Sequence, residues 1–304
     1  MTLSTFLRIG LALQLGIGTA VALFLLPDAF EWLAIPIGFL VPLVGTGVVL
    51  AFEFALGAFA DPRVPSLPKR ELLAIWWEET RISTRMFSFA QLFASHFPEL
   101  PLVHDPQRPA VLLVHGYLCN RAVWHALMDS GRLDGCNVAT IDLEPIFGPL
   151  ERYAAVIHSA LEHLRASTGA AQVVLVGHSM GGLAIREYLR QFGDTNVAKI
   201  VTLATPHHGT IFAPLGSGAN AKQMAVGSPF MSELGRALSP QLAAKFVCVA
   251  TREDNLIVPR SSPLLTGSRH VVLDRVGHLA LIEDPRAWEA LENELHPQRS
   301  RLAA

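Results

Sequence analysis

The sequence predicts an α/β fold: a parallel sheet of about six strands with helices on both faces, preceded by two apolar helices. Three observations carry this. Short apolar, β-branched runs alternate with longer amphipathic stretches through residues 108–295, as parallel strands joined by crossover helices require. One run, Val173-Val174-Leu175-Val176, leads straight into Gly177-His178-Ser179-Met180-Gly181 and then a helical pattern. Charged residues make up only 16% of the chain, against about 25% in ordinary soluble domains, and the excess apolarity is concentrated at the start.

Residues 6–26 are broken only by Arg8 and Gln14, and residues 32–52 carry no charge. Each suits a bilayer span of about 20 residues. Pro27, Asp28 and Glu31 lie between them, and Pro36 and Pro42 would kink the second. A cleaved leader ending at Ala20-Val21-Ala22 is the alternative, but apolar sequence continues past it and a second span follows. Residues 1–60 therefore read as a membrane anchor with two transmembrane helices. Residues 61–70 hold Pro62, Pro65 and Pro68 and read as an extended linker. Residues 71–97, with Trp76, Trp77, Phe87, Phe89 and Phe93, predict an amphipathic helix. That helix either lies among lipid headgroups or packs on the globular part that starts near residue 108.

Strands are predicted at about 110–115, 136–141, 172–177, 197–204, 245–250 and 270–274, with helices at 121–130, 150–167, 180–192 and 280–295. The stretch 211–244, which includes Met224 and Phe230, is an insertion between the fourth and fifth strands. A net charge of −2 leaves no nucleic-acid footprint. Cys119, Cys136 and Cys248 suggest no disulfide framework. The loop between the apolar helices has no Lys or Arg, whereas Arg63, Lys69, Arg70, Arg81 and Arg85 follow them and Arg8 lies near the N-terminus. This asymmetry predicts a multi-pass membrane protein with both ends and the globular domain on the cytoplasmic face.

The turn at Ser179 has small residues two positions either side, which lets strand and helix backbones pass closely. The serine then sits at a helix N-terminus, where developing negative charge is favoured. Strand, turn and helix together resemble the nucleophile elbow of the α/β-hydrolases. The likeness extends over about 108–295 through His115-Gly116-Tyr117, the stretches 177–182 and 254–259, and Gly277-His278, in the manner of bacterial lipases and esterases. Thr205-Pro206-His207-His208-Gly209-Thr210 is similar to a stretch found in lipases and in GPI-inositol deacylase-like esterases.

The resemblance implies a catalytic domain over 108–304, with Ser179 as nucleophile and the 211–244 insertion as a lid. The backbone N–H groups of Tyr117 and Met180 become the oxyanion donors. Histidine and acid must follow the serine, the acid first. His207 and His208 come too early, His270 opens its strand at the wrong end, and His296 lies in the polar tail, which leaves His278. Asp254 is the expected acid, with Glu253 and Asp274 as alternatives. His115, His178, His208, Met224 and Phe230 are the expected substrate-pocket residues, His115 orienting the oxyanion loop. The expected function is a membrane-anchored serine esterase or lipase that forms an acyl-enzyme and needs no metal or cofactor. Its partners would be an ester, with lipids and long acyl chains as candidates, and the bilayer. An acyltransferase or thioesterase would use the same triad, and a non-catalytic membrane scaffold is the remaining alternative.

Overall fold

The computed structural model describes residues 1–62, 67–97 and 99–296. Residues 63–66 of the expected linker, including Arg63, and residues 297–304 of the expected catalytic domain lie outside them.

Six strands form one sheet in the order β2-β1-β3-β4-β5-β6. They are β1 (Ala110–Val114), β2 (Asn137–Ile141), β3 (Val173–His178), β4 (Val197–Leu203), β5 (Phe246–Thr251) and β6 (Arg269–Leu273). Every neighbouring pair is parallel. Strands β1 and β3 are buried along their whole length, which is why their sequences run apolar without alternation. The chain reverses its direction of travel across the sheet between β1 and β3. Their carboxyl ends therefore open onto the crevice where open α/β sheets place their chemistry.

The sheet separates two apolar layers. One contains α5 (Leu150–Thr168) and α6 (Met180–Phe192), through Tyr153, Ile157, Leu183 and Ile185. The other contains Trp124, Leu127 and Leu291, from the region of α4 (His125–Asp129) and from α10 (Pro285–Leu295). Two expected helices are shorter than their sequence pattern. The first starts as a 3-10 turn at Arg121–Trp124 before α4. The last is preceded by the 3-10 turn Ala280–Glu283, and α10 begins anew where Asp284 caps it and Pro285 occupies the first turn.

The apolar helices are α1 (Leu3–Leu25) and α2 (Ala34–Ala60), and both are long and apolar enough to cross a membrane. They pack at glycines. A Cβ on Gly38 would lie 2.2 Å from Thr19 Oγ1, and one on Gly18 would lie 2.4 Å from Val41 Cγ2. Close approach at small residues is how apolar helices associate without a hydrophobic driving force between them. Their outward faces, with Phe24, Phe39 and Phe59, are exposed.

Helix α3 is Lys69–Ser88, not the longer helix expected over 71–97. The backbone leaves helical geometry at Phe89, and a 3-10 turn follows over Ala90–His96. Tertiary hydrogen bonds account for the change. Gln91 is fully buried, its Oε1 accepts from the Asn120 N–H at 2.8 Å, and its carbonyl accepts from Ser4 Oγ at 2.8 Å. Of the two placements open for α3, packing is the one observed: Ile82 and Met86 enter the core layer that holds Trp124 and Leu127.

Candidate active site

Ser179 joins β3 to α6 with φ 53° and ψ −124°. Such a conformation costs a non-glycine residue about 1–3 kcal/mol. The surrounding backbone holds it: the Ser179 N–H donates to Leu203 O at 2.8 Å, and its carbonyl accepts from Gly182 N at 3.1 Å. The flanking glycines are sterically required. A Cβ on Gly181 would lie 2.3 Å from Val114 O and 2.6 Å from His115 O, both backbone atoms. Gly181→Ala is therefore expected to lower the thermal midpoint by several degrees, since overpacking against immovable atoms costs about 1–3 kcal/mol. An unchanged midpoint in a melting experiment would contradict the close approach.

His278 lies past β6, and its Nδ1 is 3.1 Å from both carboxylate oxygens of Asp254. Asp254 is fully buried, and its Oδ1 also accepts from the N–H groups of Leu256 and Ile257 at 2.9 and 2.7 Å. Glu253 points elsewhere, accepting from the Arg275 N–H at 2.6 Å. Asp274 is exposed and faces Arg286. Of the three acids considered, Asp254 alone is bonded to the imidazole. Burial pulls the His278 pKa down, but the Asp254 charge and hydrogen bond, with Glu79 and Glu53 behind, outweigh it and raise it above the ordinary histidine value.

Ser179 and His278 line one cavity of about 620 Å³. Among the described residues no hydrogen bond joins them; in unliganded sites such contacts are commonly long. Tyr117 and Met180 follow the ends of β1 and β3, and neither backbone N–H donates to another group among the described residues. The Tyr117 hydroxyl donates to Ser217 O at 2.8 Å and accepts from Ser217 N–H at 2.8 Å, tying the 211–244 insertion to this loop. The insertion comprises a 3-10 turn and α7 (Gly218–Gln223), α8 (Pro229–Ala237) and α9 (Pro240–Ala243).

The five expected pocket residues divide. His178 and Met224 line the cavity. His178 Nε2 donates to His278 O at 3.3 Å, and burial, then the His278 charge, hold its pKa well below normal, so the ring is neutral. His115 lies behind the cavity. Its Nδ1 donates to Gly116 O and its Nε2 accepts from Leu143 N–H, both at 2.9 Å, and burial keeps it neutral. It orients the loop rather than lining the pocket. Phe230 is a correction: it is buried in the core on α8. His208 is another: it is exposed and bonds Leu264 O. The buried member of that histidine pair is His207, hydrogen-bonded to Thr202 Oγ1 at 3.1 Å.

Glu79, on α3, is a site residue that the sequence reading missed. Its carboxylate accepts from Leu279 N–H at 2.7 Å and Ala280 N–H at 2.9 Å, clamping the loop just after His278. The available signal was its place in the buried helical stripe Ile75, Glu79, Ile82, Met86, where an acid has no business without a partner. Burial raises its pKa from 4.5 to about 7, against the lowering effect of the two N–H bonds. Folded protein thus binds more protons than unfolded protein between these values, so stability falls as pH rises through that window. The total is on the order of 3 kcal/mol. The stability of wild type relative to Glu79→Gln is expected to decline from pH 5 to pH 8 in parallel melts. A pH-independent difference would show that Glu79 keeps an ordinary ionisation.

Sheet order, strained serine and histidine–aspartate pair together define the α/β-hydrolase fold. Residues 109–229 match the family model described as alpha/beta hydrolase fold. A triacylglycerol lipase of Vibrio cholerae serotype O1 is 32% identical over 130 residues, 40% of this chain and 41% of that protein. One from Pseudarthrobacter phenanthrenivorans is 31% identical over 115 residues, 35% of each. The matched part of the chain thus spans 32% to 41% of the length of these curated relatives. The solved mature form of the Bacillus licheniformis lipase BlEst2 superimposes with a TM-score of 0.57 at 20% identity, over 65% of this chain and 96% of that one. At that identity the likeness is one of fold. The chain has the α/β-hydrolase fold, and its matched region is similar to triacylglycerol lipases.

Proposed function

We propose that this protein is a serine hydrolase of carboxylic esters, attached to a membrane through α1 and α2. The observation that carries the reading is the strained Ser179 at the elbow, sharing a cavity with the buried His278–Asp254 pair. In this mechanism Ser179 Oγ attacks the acyl carbonyl while His278 takes its proton. Asp254 holds the imidazole in the tautomer that leaves Nε2 free, and stabilises the imidazolium. The Tyr117 and Met180 N–H groups receive the oxyanion, each such donor contributing about 3–4 kcal/mol to the transition state. His278 then protonates the departing alcohol. Water, deprotonated by the same histidine, releases the acid and regenerates Ser179.

The short link between α1 and α2 keeps both outer ends of the pair on one side of the bilayer, and Arg8, Lys69, Arg70, Arg81 and Arg85 favour the cytoplasmic side. A fluorophosphonate probe tests the chemistry. It is expected to label the wild-type protein and to leave Ser179→Ala unlabelled. Absence of labelling on folded wild-type protein would remove the serine-hydrolase reading.

A further inference from the structure

The cavity containing Ser179 is not enclosed by the hydrolase elements alone. Gln14 of α1 and Gly45, Val49, Leu50, Phe52 and Glu53 of α2 form part of its wall. A tether needs no contact with the site, yet α2 is linked through Asn255 to the backbone of His278. Glu53 Oε2 accepts from Asn255 Nδ2 at 2.7 Å, and Asn255 Oδ1 accepts from the His278 N–H at 3.1 Å. The Glu53 end of this wall therefore lies beside the catalytic histidine. Gly45 is two helical turns away, about 12 Å at 1.5 Å rise per residue. Gly45, Val49 and Phe52 follow i, i+4, i+7 spacing, so they form one stripe along that length. Gly45 leaves its end of the stripe open: a Cβ there would meet no atom within 4 Å.

Val49 and Phe52 line the cavity and are also 57% and 58% exposed. Leu215, on the insertion, also lines the cavity and is 71% exposed. The cavity rim is thus apolar and open on the side of the outward-facing helix residues. An apolar rim of this kind fits hydrocarbon better than water. The volume of about 620 Å³ falls in the range of pockets that bury most of a ligand of moderate size.

We infer that α2 is a wall of the substrate site, and that the chain it holds is the long acyl chain of a bilayer-resident ester, admitted sideways past Val49 and Phe52. This rests on the serine-hydrolase reading of Ser179. The ester carbonyl sits at Ser179, and the acyl chain runs along α2 towards Gly45. A short acyl group never reaches Gly45, so changes there act on long chains selectively.

The test uses the full chain in phosphatidylcholine vesicles with p-nitrophenyl butyrate and p-nitrophenyl palmitate. Gly45→Trp is expected to lower the palmitate-to-butyrate ratio of kcat/KM by about tenfold or more, the scale on which apolar pockets discriminate. Val48→Trp, on the outward face beside it, is expected to keep the wild-type ratio. In a second measurement on the wild type, a long-chain alkyl fluorophosphonate with a terminal diazirine reacts at Ser179 and on irradiation is expected to cross-link to α2. Palmitate ester in the same vesicles is expected to turn over faster than in detergent micelles. Equal ratios in the two tryptophan variants, labelling of Ser179 without an α2 cross-link, or equal turnover from vesicles and micelles would overturn the inference while leaving the serine mechanism standing. If wild-type protein neither labels nor turns over any ester, the underlying serine reading itself fails.

Discussion

Ser179→Ala is expected to abolish ester turnover, with kcat falling by a factor on the order of 10⁶. The size follows from the site's design. In the proposed mechanism the hydroxyl is the atom that forms the acyl-enzyme, and His278, paired with Asp254, acts only through it. Without it, binding and the oxyanion amides retain only about 10³–10⁴ over water. The substitution removes a single oxygen at a residue 9% exposed, so folding should survive. An alanine at φ 53° keeps the strain the serine already bears. Steady-state rates on a p-nitrophenyl ester, with a thermal melt to verify folding, decide the matter. Substantial turnover in folded Ser179→Ala would place the nucleophile elsewhere.

Asp254→Asn is expected to cost about 10⁴ in kcat. An asparagine fits the same space, but its NH2 group facing Nδ1 favours the imidazole tautomer with the proton on Nε2, where it cannot accept from Ser179. The carboxylate also accepts the Leu256 and Ile257 N–H groups, so part of the loss will come from a loosened loop. The pH profile separates the two effects. The acid limb of kcat/KM, assigned to His278, is expected above the ordinary histidine value in wild type, because Asp254, Glu79 and Glu53 outweigh burial. With the Asp254 charge removed, the limb should move to lower pH. A merely loosened loop would lower the rate without moving it. Glu253→Gln is the matched control: its carboxylate accepts from Arg275 and does not touch the imidazole, so kcat should stay within a few-fold of wild type. A 10⁴ loss in Glu253→Gln with little change in Asp254→Asn would move the acid by one residue.

What was legible in the sequence is what local physics encodes. Buried parallel strands declare themselves as continuous apolar runs, and β1, β3 and β5 fall where those runs are. The elbow declares itself through Gly177 and Gly181, since only glycine fits where the backbones nearly touch, while Gly182 is crowded by the Thr205 side chain. Asp254 and His278 follow because each lies in the loop after a parallel strand, at the edge where β3 ends. The apolar helices declare themselves by length and composition.

The tertiary structure alone decided which surfaces those pieces share. His208 and Phe230 sit near the elbow's continuation in sequence, yet packing turns one out to solvent and the other into the core. Glu79 is separated from the loop it holds by some 200 residues, and Glu53 from Asn255 by 202. No periodicity or motif connects positions so far apart. Their partnership exists only once α2 and α3 dock on the crevice at the carboxyl ends of β1 and β3. Hydrogen bonds and burial there depend on distances in space, which the sequence determines only through the complete fold.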